Sequence, residues 1–219
     1  MLAKEIISKQ FIPVLIGEEG LSALKLMNEQ WVKNIPVVDE GKLVGVLAME
    51  ALYNVNLEEK IDSQIHVLAG NYVNAEDHFL EVIKHMVEHN LSSIPVVLKN
   101  MNYIGTITQE SIMQQLGKTE SMSEHGCILV LEMKRQDYSL SDIAHIVENE
   151  GATILNLFIT SSPEQGRIEV SIKVNTSFLS SILASFERHN YLIKASYEEN
   201  EYTDTLKERY DSLMSYLSI

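Results

Sequence analysis

Displaced by 59 residues against itself, the chain brings residues 21–39 onto residues 80–98 with 8 of 19 positions identical. The identities are Leu21/Leu80, Lys25/Lys84, Met27/Met86, Glu29/Glu88 and the run Ile35-Pro36-Val37-Val38 against Ile94-Pro95-Val96-Val97. One residue is then inserted in the second copy, after which Gly45 matches Gly105 and Glu50 matches Glu110. A duplication of this length constrains the fold strongly, because neither copy is expected to bury its apolar face alone.

Both copies read alike. Leu21, Leu24 and Met27 in the first, and Leu80, Ile83, Met86 and Val87 in the second, recur at helical spacing and predict a helix with these residues on its apolar face. The Ile-Pro-Val-Val run suits a buried strand, with proline near its start where the missing N–H costs least. Asp39-Glu40-Gly41-Lys42 and Lys99-Asn100-Met101-Asn102 are turns. Second strands over 43–47 and 103–107 and second helices over 49–54 and 109–116 complete a β-α-β-β-α unit, twice.

A helix, then apolar-Pro-Val-Val, a turn, and apolar-Gly-apolar-apolar leading into a short helix resembles a CBS repeat. The tandem copies over residues 1–118 are similar to a Bateman module. The resemblance implies two sheets packed about a pseudo-twofold axis, clefts that in many members bind adenosine-containing ligands, and sensing in place of chemistry. It also implies a site motif, in which the glycine of the second strand is followed three residues later by Thr or Ser and six residues later by a ribose-binding Asp. Copy two reads Gly105-Thr106-Ile107-Thr108-Gln109-Glu110-Ser111, keeping the threonine and replacing the aspartate by Ser111. Copy one reads Gly45-Val46-Leu47-Ala48-Met49-Glu50-Ala51 and keeps neither polar group. Ile94, Pro95, Gly105, Thr108 and Ser111 are therefore the candidate ligand-binding residues, with AMP or another adenosine derivative as the ligand. A hydrogen bond to a charged acceptor contributes about 1.5–3 kcal/mol, so the lost carboxylate implies roughly ten- to hundredfold weaker ribose binding. Thr108 and Ser111 equally suit the N-cap of the following helix, and both readings stand at this point.

The charge balance of 17 basic against 31 acidic residues, −14 net, disfavours a polyphosphate partner and hence nucleic acid. Cys127 is the sole cysteine, which excludes an intramolecular disulfide, suits a reducing compartment and reads as a small buried residue. His78, His85 and His89, spaced by 7 and 4, share one helical face, which reads as a solvated polar face and not as a metal site. Trp31 stands opposite Asn90 with no role assigned. No signal-like segment or membrane-spanning run is evident, so a cytoplasmic location is expected.

Residues 116–126 (LGKTESMSEHG) read as a polar linker. Strands are predicted over 127–134, 153–160, 167–174 and 191–197, with helices over 140–150 and 178–189: the ferredoxin-like βαββαβ order. With Gly151 ending the first helix, this half resembles an ACT domain, whose ligand loop carries Asp-x-x-Gly. Tyr138 stands where that glycine belongs, which argues against amino-acid binding there. A final helix over 202–219 is expected from Leu206, Tyr210, Leu213 and Leu217. A CBS pair followed by an ACT domain also resembles the acetoin-utilization regulatory family.

The expected architecture is α+β: CBS repeats over 1–59 and 60–118, a linker over 119–126, an ACT-like domain over 127–200 and a C-terminal amphipathic helix over 201–219. The expected function is non-catalytic regulation by a homodimer sensing an adenosine compound. The alternatives are a ligand-free assembly adaptor and amino-acid sensing by the ACT-like domain. No nucleophile-base pair, metal set or paired carboxylates stand out in the sequence.

Overall fold

The computed structural model describes residues 1–53, 56–61, 70–161, 166–198 and 213–214. The chain divides into two compact units, Met1–Leu116 and Gly117–Ile219.

The first unit holds two matching three-stranded sheets. In the first, β1 (Val14–Leu15) runs parallel to β2 (Asn34–Asp39), which forms a hairpin with β3 (Lys42–Ala48); α1 (Gly20–Glu29) and the short α2 (Met49–Leu52) complete the copy. In the second, β4 (Val73–Asn74), β5 (Ser93–Val97) and β6 (Tyr103–Thr108) repeat the arrangement with α3 (Phe79–Glu88) and α4 (Gln109–Gly117). The end of the predicted helix over 49–54 falls at residue 54, outside the described residues. Gly45 lies opposite Val37 and Gly105 opposite Val96, and in both hairpins the register shifts at the next residue. A bulge built at the same place in each copy is why both keep a glycine there.

The repeat offset reappears as geometry. Asn34 and Ser93, 59 apart and both buried, bond reciprocally: Asn34 Nδ2 donates to the Ser93 carbonyl, and Ser93 Oγ donates to the Asn34 carbonyl at 2.7 Å. Past the inserted residue, Lys42 bridges Asn102, 60 apart. Equivalent residues meeting each other is what a twofold axis between the copies requires. The leading segments also cross over. The Ala3 and Lys4 N–H groups donate to the carbonyls of Asp77 and Ala75, and Ala3 and Ile6 join the core of copy two. Gly17 N and Gly20 N donate to the carbonyls of Ile61 and Glu59, and Ile61 joins the core of copy one. A linear cut at residue 59 is thus not a packing boundary.

Of the expected apolar faces, Met27 and Met86 are buried and Leu24 and Ile83 pack against the cores, while the remaining members turn outward. α1 buries Gly20, Ala23 and Met27, while α3 buries Val82 and Met86; Leu21, Leu80 and Val87 are exposed, Val87 at 74%. In α1 the approach is close at its start, where a Cβ at Gly20 would already lie 3.3 Å from the Leu57 Cα. Both helices end on a left-handed residue, Trp31 at φ 55° and Asn90 at φ 51°. Asparagine tolerates that conformation and tryptophan does so poorly. Trp31 is nevertheless 92% exposed.

In the second unit β7 (Cys127–Lys134), α6 (Leu140–Asn149), β8 (Ile154–Ser161), β9 (Arg167–Val174), α7 (Ser180–Arg188) and β10 (Leu192–Tyr197) form one antiparallel sheet in the order β10-β7-β9-β8. This is the ferredoxin-like fold. Its core comprises Leu129, Leu131, Ile168, Val170, Ile172, Ile143, Ile182 and Phe186, with Cys127 fully buried beside them. α7 is shorter than the predicted 178–189, and Phe178 is left exposed before it. Within the expected linker, Glu120–Ser123 form a helical turn, α5, fastened by Lys173 Nζ to the carbonyls of Met122 at 3.2 Å and Glu124 at 2.6 Å. A cation at the C-terminal carbonyls of a helix is the favourable polarity. Of the expected C-terminal helix only Leu213 and Met214 are described, and both are helical; the turn residues 162–165 also lie outside.

Candidate functional site

The junction of β6 and α4 gathers the candidate ligand residues. Thr108 ends the strand at 8% exposure, and α4 begins at Gln109. Ser111 N donates to Thr108 Oγ1 at 3.1 Å, Thr108 N donates to Ser111 Oγ at 3.0 Å, and Ser111 Oγ donates to the Thr108 carbonyl at 2.9 Å. This is a reciprocal cap with serine in the place glutamate usually takes. Capping is therefore what these hydroxyls do in the fold. A hydroxyl that accepts one bond still carries a proton and a lone pair, so Thr108 Oγ1 can also donate to a ligand.

The other candidates differ in access. Ile94 and Pro95 lie on the central strand of copy two and are buried, with Ile94 in the core. Gly105 is half-buried at φ +150°, a region that L side chains rarely adopt. A Cβ there would collide with Cγ2 of Ile7. Ile7 is held in place by the next residue, whose N–H donates to the Thr106 carbonyl at 2.8 Å. Sequence reasoning misses Ile7, because the offset sets it against His66 and no shared residue marks the spot. Beside it the Tyr103 hydroxyl and Thr106 Oγ1 are 2.7 Å apart, and burial raises the phenol above its ordinary pKa. In copy one, Ala48 caps α2 with no side-chain bond.

Of the three histidines only His85 lies within α3; it lines one groove with His78 and sits beside His89. His78 precedes α3 as its N-cap, its Nδ1 accepting from Leu80 N at 3.4 Å, and His89 is the C-cap. His85 is half-buried, with its ring 4.5 Å from that of His89. Burial, then the neighbouring His89, holds the His85 imidazole below its ordinary pKa, while Glu88 and Asp77 pull the other way. A groove of about 310 Å³ here is lined by Asp77, Glu81, Lys84 and Glu88 among others. Among the described residues no group of three or more His, Cys, Asp or Glu side chains is placed to hold a metal ion.

The CBS domain family matches residues 3–57 and 69–118. The chain carries a tandem pair of CBS domains. It is 27% identical over 121 residues to the L-aspartate semialdehyde sulfurtransferase of Methanocaldococcus jannaschii, covering 53% of this chain and 23% of that protein. It is 30% identical over 112 residues to the homoserine O-acetyltransferase of Methanosphaera stadtmanae, covering 50% and 23%. The chain thus spans about a quarter of the length of these curated relatives. Among solved structures, a CBS domain pair/ACT domain protein from Thermotoga maritima is similar at 22% identity and TM-score 0.48, covering 53% of this chain and 96% of that one. The CBS pair of protein MJ0100, in complex with 5′-methylthioadenosine and S-adenosyl-L-methionine, is similar at 25% identity and TM-score 0.44, with 53% and 96% covered. The CBS pair is followed by the ferredoxin-fold unit, and no helix of the described residues is long and apolar enough to cross a membrane.

Proposed function

We propose that the chain is a non-catalytic regulatory protein in which the cleft of the second CBS domain senses a small adenosine compound and a homodimer transmits the signal. The observation that carries the reading is the junction of β6 and α4, where Gly105, Thr108 and Ser111 stand in the order and spacing of an adenosine site. Thr108 Oγ1 and Ser111 Oγ would share the ribose hydroxyls, each already oriented by the reciprocal cap. Ile94 and Pro95, both buried, would support the strand behind them without facing the ligand.

Charge narrows the ligand. Lys4 is paired with Glu76 at 2.7 Å, and Lys84 lies in the groove with Asp77, Glu81 and Glu88. A chain of net charge −14, with Lys4 paired and Lys84 among three carboxylates, favours a neutral or cationic adenosine compound over ATP. The kind of ligand MJ0100 holds, methylthioadenosine or S-adenosylmethionine, suits that balance.

At about 100 times its dissociation constant a ligand contributes about 2.7 kcal/mol, which should raise the melting midpoint by roughly 5–10 °C. A melting panel of methylthioadenosine, S-adenosylmethionine, adenosine, AMP, ADP and ATP at millimolar concentration checks this. The neutral and cationic members should shift the midpoint more than ATP. Light scattering on the same samples should give at least twice the 24.8 kDa chain mass, and only 24.8 kDa at micromolar concentration removes the dimer.

A further inference from the structure

We propose that the outward face of the ferredoxin-like sheet is the docking surface for the C-terminal segment, residues 202–219, of a second copy of this chain. The inference rests on the homodimer of the proposed function and not on its adenosine ligand. One face of the sheet is covered by α6 and α7, whose Ile143, Ile146, Ile182 and Phe186 join its core. Side chains alternate along each strand, so those between the core positions point the other way. On β7 these are Ile128, Val130 and Glu132, none of them buried, set between the buried Cys127, Leu129, Leu131 and Met133.

The pairing register shows what that face offers. Tyr197 lies opposite Ile128, Ala195 opposite Val130, and Phe158 of β8 opposite Ser171, which in turn faces Val130. Tyr197, Phe158 and Ile128 are 59%, 53% and 38% exposed. Apolar side chains scattered singly over a surface are ordinary, but these stand in adjacent rows and form a patch. The polar groups beside it are already engaged: Glu132 holds Arg167 Nε at 2.6 Å, Glu169 holds Lys194, and Lys173 is bound to the α5 carbonyls. An apolar centre inside a paired polar rim is the anatomy of an interface.

The occupant follows from where the chain goes. β10 ends at Tyr197, on the patch itself, and the apolar stripe Leu206, Tyr210, Leu213 and Leu217 lies in the residues that remain. A helix over 202–219 would be about 27 Å long and the eight-residue β7 about 26 Å, so one helix suffices to cover the face. Leu213 is helical and 56% exposed, so this member of the stripe is as open within one chain as the patch is. A second copy closes both at once. Each sheet receives the stripe of the other chain, and a twofold axis makes the two contacts identical.

The test is to co-express two full-length variants, Phe158→Cys and Leu213→Cys, and treat them with a short thiol-to-thiol cross-linker; the native Cys127 is fully buried and out of its reach. The expected product is a two-chain species joining position 158 of one chain to position 213 of the other, identified by peptide mass. Adding Ile128→Asp to the Phe158→Cys chain should lower its yield about fivefold or more, because a charge then stands in the apolar centre. Leu140→Asp, at an exposed leucine of α6, should leave the yield unchanged. A product joining position 158 to position 158 means that two sheets face each other, and a cross-link within one chain carrying both substitutions means that the segment folds onto its own sheet. Either result overturns the proposal. Light scattering on the same samples separates this surface from the dimer itself: dimers lacking the 158-to-213 product overturn the docking alone, and a chain that stays at 24.8 kDa overturns the homodimer with it.

Discussion

Replacing Asn34 with alanine is expected to destabilise the CBS pair by about 3–4 kcal/mol, measured as a lowered urea midpoint at unchanged slope. Asn34 Oδ1 accepts from Ser92 N at 2.8 Å, Ser92 Oγ at 2.9 Å and Ser93 N at 3.2 Å, while its amide donates to the Ser93 carbonyl. Asn34 is 4% exposed and Ser93 is fully buried. Alanine leaves several polar groups of copy two without partners, and each buried orphan costs about 1–3 kcal/mol, partly relieved if water enters. Ser93→Ala removes one hydroxyl that donates to the Asn34 carbonyl and should cost about 1 kcal/mol. A domain holds only about 5–15 kcal/mol in total, so the difference between the two variants is large. If Asn34→Ala costs no more than Ser93→Ala, the buried network does not hold the copies together.

Gly105→Ala is the second large effect, at about 2–4 kcal/mol. Two causes combine: the backbone at φ +150°, and the collision of the new methyl with Ile7 on a segment tied to Thr106. Gly41 separates them, since it has φ +79° and open space around its would-be Cβ. Gly41→Ala should therefore cost only about 1 kcal/mol. Adding Ile7→Ala to Gly105→Ala should recover part of the loss as a coupling energy of about 1–2 kcal/mol, although Ile7→Ala alone is destabilising. Equal costs at Gly41 and Gly105, or strict additivity with Ile7, would contradict the contact.

What the sequence discloses follows from which physical signals it carries. The strands Cys127–Lys134 and Arg167–Val174 are read to the residue because every second side chain enters the core, and that alternation is visible in the letters. The repeat discloses the pairing of the CBS copies, because identity at Ile35-Pro36-Val37-Val38 and Ile94-Pro95-Val96-Val97 marks the strands that must be buried. The residues that join the copies stay hidden, since Asn34 and Ser93 are not identical and bond through different chemistry. The helix faces are read in part: Met27 and Met86 are buried as spacing implies, but size misleads at the edges, where Gly20 and Ala23 are buried close to the backbone and the larger Leu21, Leu80 and Val87 face outward. α5 carries no periodic apolar signal, its order resting in part on Lys173, a residue 49 positions or more away. At the candidate site, spacing discloses Thr108 and Ser111, but that their hydroxyls cap each other's backbone is a matter of rotamers, and Ile7 arrives from a segment with no counterpart in the motif.

The central claim, adenosine recognition by the second CBS domain, is tested most directly by calorimetric titration of 5′-methylthioadenosine into wild type, Ser111→Asp and Ala48→Ser. The first substitution would restore the carboxylate that Ser111 replaces, and an acidic residue in the first turn of α4 also suits the helix N-terminus. A charge-assisted bond to the ribose contributes about 1.5–3 kcal/mol, so affinity should rise roughly ten- to hundredfold. The account predicts weak one-to-one binding by wild type, that gain in Ser111→Asp, and no change in Ala48→Ser. A flat titration for all three proteins at millimolar ligand would contradict it and leave the CBS pair as a ligand-free assembly module.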